Sequence, residues 1–275
     1  MGIFKASFTN TLSRIFGKIA SARFPGFIQL LVNNLYVKVT GVDLDAFYQA
    51  GHYESLNALF TRSLRFEREF SKDPKSIISP ADSLISSMGE IKEGEALQIK
   101  GFKYSISELL TEHIAVEEIE ALNQGKFINF YLSPKDYHRY HVPMSMSVRR
   151  AIHVPGALYP VNFKYLRKVP SLFIKNERVI LECYDSENRL FFIVLVGALN
   201  VGKMTLSFDK RIETNIDASK MKVYDYDSVT LEKGDELGMF MMGSTVVMLF
   251  EKDFVSLEDF EGKKVRYTDV IANKE

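Results

Sequence analysis

The chain has one cysteine, Cys183, among its 275 residues, and no tryptophan. A single thiol excludes an internal disulfide, so packing alone must hold the fold, as suits a reducing or thiol-neutral compartment. Cys183 lies in the alternating run RVILECYD and reads as a packing residue, because free cysteine is among the most buried side chains. The formal net charge is zero, which removes any general attraction for nucleic acid. No apolar run approaches the length that would cross a bilayer. The longest uncharged stretch near the N-terminus, FPGFIQLLVNNLYV, is broken by Pro25, Gly26 and two asparagines. Asn10, Thr11, Ser13 and Arg14 interrupt the apolar core that a signal peptide would need. Acids are missing from residues 1 to 42, which carry Lys5, Arg14, Lys18, Arg23 and Lys38. The rest of the chain is therefore net acidic.

Apolar residues make up 46% of the chain, enough to bury a core and unlike a disordered composition. Ile3, Phe4, Phe8, Leu12, Ile15, Phe16 and Ile19 recur at helical spacing, with Lys5, Arg14 and Lys18 mainly off the stripe. A basic amphipathic helix of this kind suits a membrane surface; packing on its own domain is the competing reading. A second helix is predicted from Phe27 to about Thr40, and a third over residues 55 to 65, SLNALFTRSLR. After about residue 75, short β-rich runs alternate with turn signals. Hairpins are predicted around Lys175-Asn176-Glu177 and across Asp185 to Asn188, and SISELLTEH reads as a helix capped by Ser105 or Ser107. The expected fold class is α+β, mainly β. A β-sandwich or barrel-like catalytic body over residues 71 to 275 would follow a helical, membrane-associating segment over residues 1 to 70.

Residues able to do chemistry are few. Two of the five histidines, His138 and His141, lie in YLSPKDYHRYHVP. Ser133 suits an N-cap, Pro134 the first helical position and Asp136 the third, while Pro143 ends the element. The spacing predicts one or two helical turns with both imidazoles on one face. Paired imidazoles bind metals or move protons. No third ligand stands at a recognisable spacing, and H-x-x-H without a glutamate is not a protease zinc motif, so no metal is assigned. Asp82, in SPADSLIS, reads by itself as a turn residue. In FMMGSTVVMLFE the triplet Gly243-Ser244-Thr245 interrupts an apolar strand, and glycine there marks a bulge or a close backbone approach. Each is compatible with a structural role; together an acid, a histidine and a serine on separate segments are the parts of a triad, whose order along a chain is not fixed.

Five segments carry a more specific signal. SPADSLIS (79–86), YLSPKDYHRYHVP (131–143), VPGALYPVN (154–162), VLVGALNVGKM (194–204) and KGDELGMFMMGSTVVMLF (233–250) resemble, in that order, the phosphatidylserine decarboxylase family of bacterial proenzyme type. The similarity covers essentially the whole chain, including the N-terminal helical stretches. Ser83 stands where the family usually has glycine, and Met242 where leucine is commonest.

The resemblance implies a proenzyme that cuts itself between Gly243 and Ser244, leaving a β chain (1–243) and an α chain (244–275). Ser244 would become a covalent pyruvoyl group, with neither metal nor pyridoxal phosphate. It further implies His141 as the base for Ser244, Asp82 as its orienting acid, and His138 acting on the substrate carboxylate or the product carbon. The implied substrate is phosphatidylserine in the bilayer. The implied location is the cytoplasmic face of the cell membrane, held peripherally, with the α/β heterodimer paired further and no nucleic-acid partner. A soluble serine hydrolase using Ser244, His141 and Asp82 is the alternative.

Overall fold

The computed structural model describes residues 11, 13, 15–99, 102–199, 203–212, 214, 220–241 and 244–275. The first half of the predicted N-terminal amphipathic helix lies outside them; residues 15–21 are helical. The next helix, Gly26–Thr40, starts after Pro25 and ends at Gly41, whose left-handed φ of 71° lets its N–H reach the Val37 carbonyl. A short helix, Leu56–Phe60, is capped by Ser55 Oγ, which accepts from the Ala58 N–H at 3.0 Å. It stops at Thr61, short of the predicted Arg65, and no regular element follows until the strand Ser76–Ile78.

The body is built around one eight-stranded antiparallel sheet. Its order is Lys222–Leu231, Met146–Val154, Arg178–Tyr184, Leu190–Gly197, Ser244–Phe250, Lys126–Leu132, Ser83–Glu90, Lys264–Val265. The sheet is open, its edges being the first and last of these strands. The two central strands, Leu190–Gly197 and Ser244–Phe250, are buried along their whole length. That explains their near-continuous apolar sequences, since both faces are covered. Smaller sheets flank this one, among them a three-stranded sheet ordered Met204–Leu206, Glu236–Phe240, Arg139–His141. With the N-terminal helices, the fold is α+β and mainly β.

Three local expectations are corrected. YLSPKDYHRYHVP forms no helix. Ser133 and Asp136 do bond as a capping pair, the Asp136 carboxylate accepting from the Ser133 N–H and Oγ, both at 2.7 Å. The chain makes only one turn there and then enters the strand Arg139–His141, because that strand pairs with Glu236–Phe240. The first predicted hairpin is also absent. Leu172–Lys175 is a helical turn, fixed by Gln98 Oε1, which accepts from the Leu172 N–H at 2.6 Å. The hairpin across Asp185 to Asn188 is present, joining Arg178–Tyr184 to Leu190–Gly197. Lastly, FMMGSTVVMLFE is not one interrupted strand. Phe240 ends a strand of the small sheet and Ser244 begins the centre of the large one, so the triplet sits where the chain changes sheets. Gly243 lies outside the described residues.

Candidate active site

Ser244 is the first residue of the central strand, paired to Leu132 on one side and Gly197 on the other. It is fully buried, and its Oγ has no hydrogen-bond partner. Native folds rarely leave a buried hydroxyl unsatisfied. Thr245 Oγ1, Ser87 Oγ and the Tyr53 hydroxyl share that state, and Ser244 is the one that begins the central strand at the junction of two sheets.

The two histidines approach from the strand Arg139–His141 and the turn before it. The His138 backbone carbonyl accepts from the Phe240 N–H at 2.9 Å, four residues before Ser244. His138 is fully buried; Nδ1 bonds the Asp136 carbonyl at 2.8 Å and Nε2 has no partner. A carbonyl can only accept, so Nδ1 carries the proton and Nε2 presents a bare lone pair. Burial, reinforced by the charge of Arg62, pushes its pKa down to about 3, so the ring is neutral across the physiological range.

His141 follows the same logic. Its Nδ1 donates to the Gly234 carbonyl at 3.0 Å, which leaves Nε2 basic and 3.2 Å from the Tyr137 hydroxyl that donates to it. The Tyr267 ring stacks on the imidazole, centroids 3.6 Å apart and planes 12° from parallel. Burial lowers the His141 pKa; the Gly234 bond and the charges of Glu236 and Asp82 oppose that.

Asp82 does not bond His141. Its carboxylate takes a two-pronged grip from Arg68, at 2.6 and 3.0 Å, and the Tyr267 N–H at 2.8 Å. Asp82 therefore acts on His141 through space and through Tyr267, which holds the acid by its backbone and the imidazole by its ring. The tautomer is set by the Gly234 carbonyl, not by the acid. The Asp82 carboxylate opens on a cavity of about 820 Å³ whose walls also include Arg68, Tyr137, Lys264 and Arg266. The structure thus brings Asp82 and His141 into one neighbourhood and puts His138 in the strand-and-turn unit beside the sheet switch. No direct acid–histidine–serine chain of hydrogen bonds joins them. Tyr137 could have been found from its place within the histidine motif. Arg68, Tyr267 and Gly234 could not, because nothing in their spacing links them to a histidine.

No group of three or more potential metal ligands occurs among the described residues. The arrangement does fit a covalent group made from Ser244: that residue is enclosed and unbonded at Oγ, and His138 supplies an equally enclosed, unbonded nitrogen.

A sequence model described as phosphatidylserine decarboxylase matches residues 56–273. A phosphatidylserine decarboxylase proenzyme of Helicobacter pylori (strain J99) is 44% identical over 265 residues, covering 96% of this chain and 96% of that protein. One from Campylobacter jejuni is 40% identical over 271 residues, 97% of this chain and 100% of the relative. One from Coxiella burnetii (strain RSA 331) is 36% identical over 248 residues, with 89% and 86% covered.

Proposed function

The chain belongs to the phosphatidylserine decarboxylase family, and from that premise we propose how its residues make the active enzyme and act on lipid. The reaction is decarboxylation of phosphatidylserine to phosphatidylethanolamine and carbon dioxide, after the proenzyme processes itself. The observation that carries the residue-level reading is the fully buried, unbonded Oγ of Ser244 at the head of the central strand.

For processing, Ser244 Oγ attacks the Gly243 carbonyl carbon and its proton passes to the basic Nε2 of His141. The peptide C–N bond breaks as the ester C–O bond forms, and the serine nitrogen takes a proton. The Ser244 Cα proton is then lost as the Cβ–O bond breaks and expels the Gly243 carboxylate; the resulting enamine tautomerises, and water replaces its nitrogen, released as ammonia. A hydroxyl at an ordinary pKa is a weak nucleophile without such a base. Holding the strand by ladder bonds on both sides makes the attack intramolecular and well aimed. In this structure the Tyr137 hydroxyl caps His141 Nε2, so Tyr137 must turn aside or relay the proton. Asp82 steadies the imidazolium by its charge.

The pyruvoyl group left at position 244 supplies an electron-accepting carbonyl for the substrate's amine, the service pyridoxal phosphate gives elsewhere. His138, neutral and enclosed, acts on the departing carboxylate or relays a proton to the product carbon through its bare Nε2, which takes that proton up during turnover. The cavity at Asp82, with Arg68, Lys264 and Arg266 on its walls, is the route we assign to the headgroup.

The helix Gly26–Thr40 supports a peripheral membrane position. It is turned inside out: Gln29 and Asn33 face inward, where Asn33 Nδ2 bonds the Ala50 and Tyr53 carbonyls, both at 2.9 Å. Phe27, Leu31, Leu35 and Val39, spaced one turn apart, face outward, with Phe27 78% and Val39 75% exposed. A contiguous exposed apolar stripe marks an interaction surface, and one flanked by Lys18, Arg23 and Lys38 suits an anionic bilayer. No described helix is long and apolar enough to cross one.

Ser244→Ala and His141→Ala test the assignment. Both should give a full-length chain that releases no carbon dioxide from phosphatidylserine vesicles. Normal cleavage in either variant removes that residue from the processing step.

A further inference from the structure

The sequence motif supplies His138 but not what holds it. The Asp136 carbonyl that accepts from His138 Nδ1 is shared: Arg62 Nη2 donates to it at 3.2 Å, and to the neighbouring Lys135 carbonyl at 2.8 Å. Arg62 is 2% exposed. Its bonded partners are backbone carbonyls, the third being Leu59 at 3.5 Å, and no carboxylate among the described residues pairs with it. Its guanidinium carbon sits 4.5 Å from the Phe47 ring centre. Two residues earlier, Phe60 lays its ring against the His138 imidazole, centroids 3.9 Å apart. A buried cation with no directly bonded carboxylate is expensive; burial lowers the pKa of Arg62, and the more distant charges of Asp82 and Asp136 offset only part of that. A core with only a packing task has no need of one beside a histidine.

We propose that Arg62 is a positioning residue for His138: it clamps the carbonyl that fixes the imidazole tautomer, while Phe60 sets the ring plane. This rests on the reading that His138 acts on the substrate. Burial is the larger cause of the neutral ring, and the Arg62 charge adds to it. Asp136, on the histidine's own turn, spends its carboxylate on Ser133. The adjoining strand offers the uncharged Phe240 N–H to the His138 carbonyl. From the helical segment come Phe60 and Arg62, and Arg62 is the charged side chain that bears on the ring. The direction follows: removing the cation makes His138 easier to protonate, so the acid limb of turnover moves to higher pH.

The experiment compares the full chain with Arg62→Met and Arg62→Lys on phosphatidylserine–detergent mixed micelles, reading self-cleavage by mass and kcat, KM and the pH profile of kcat. Both variants should still cut themselves, with KM within about threefold. Arg62→Met should lose about tenfold or more in kcat, with its acid limb shifted upward. Arg62→Lys keeps the charge but not the forked grip, and should lose kcat with the limb unmoved. If Arg62→Met does not fold, Arg62→Lys decides, and unchanged kcat overturns the proposal. So does a kcat loss in Arg62→Met with the limb in place, which a merely structural role would give. His138→Ala runs alongside. If it turns over normally, the role of His138 fails; if it is inactive while Arg62→Met matches the parent, only the Arg62 inference fails.

Discussion

A buried hydroxyl left without a partner costs about 1–3 kcal/mol relative to a bonded one, and Ser244 carries that cost at the head of the central strand. Ser244→Ala should therefore leave the uncut precursor at least as stable as the parent precursor towards denaturant while abolishing processing. A marked loss of stability would mean the serine is there to hold the strand. The histidines give a second prediction. Burial lowers the pKa of His141 below its ordinary 6.5, and the neutral ring is the base. Self-cleavage, followed by mass in a slowly processing preparation, should be flat from pH 8 down to 6.5 and fall only at more acid pH. A falling limb above pH 6.5 would point to another base. At this scale the sequence exposed the candidate groups and hid their wiring. Asp82, His138, His141 and Ser244 stand in recognisable runs. The Tyr267 N–H reaches Asp82 across 185 positions and the two-pronged Arg68 grip reaches it across 14, which no local pattern encodes.

Among the elements, the inverted helix Gly26–Thr40 ties the surface to the site. Its inner side reaches the histidine turn through Tyr36, whose hydroxyl donates to the Pro134 carbonyl at 2.6 Å. Its outer stripe faces solvent. Replacing Phe27, Leu31 and Leu35 together by serine should cut binding to anionic liposomes by tenfold or more in a flotation assay, with folding and self-cleavage retained. Undiminished flotation would place the membrane contact elsewhere. Helix boundaries were legible here because Pro25 and Gly41 punctuate them. The orientation was less so, since Gln29 and Asn33 are buried by bonds to distant backbone. The histidine segment misled for a related reason. Its capping pair is real, but the local signal for a helix lost to tertiary strand pairing with Glu236–Phe240.

For the whole molecule, a cut at the proposed Gly243–Ser244 bond would leave the smaller chain locked in place. Ser244–Phe250 lies between Leu190–Gly197 and Lys126–Leu132, bonded along its length on both sides. The two chains should travel as one particle in native chromatography and part only on denaturation. The β-rich body behind the helices was legible from run lengths and turns. The sheet order was not, because neighbours such as Ser244–Phe250 and Lys126–Leu132 are far apart in sequence. Intact mass of freshly purified, denatured protein, taken beside an assay for carbon dioxide release, tests the central claim most directly. The account predicts two chains, residues 1–243 and 244–275, the smaller beginning with a pyruvoyl group and refractory to N-terminal sequencing. A single uncut polypeptide that still releases carbon dioxide from phosphatidylserine would contradict it.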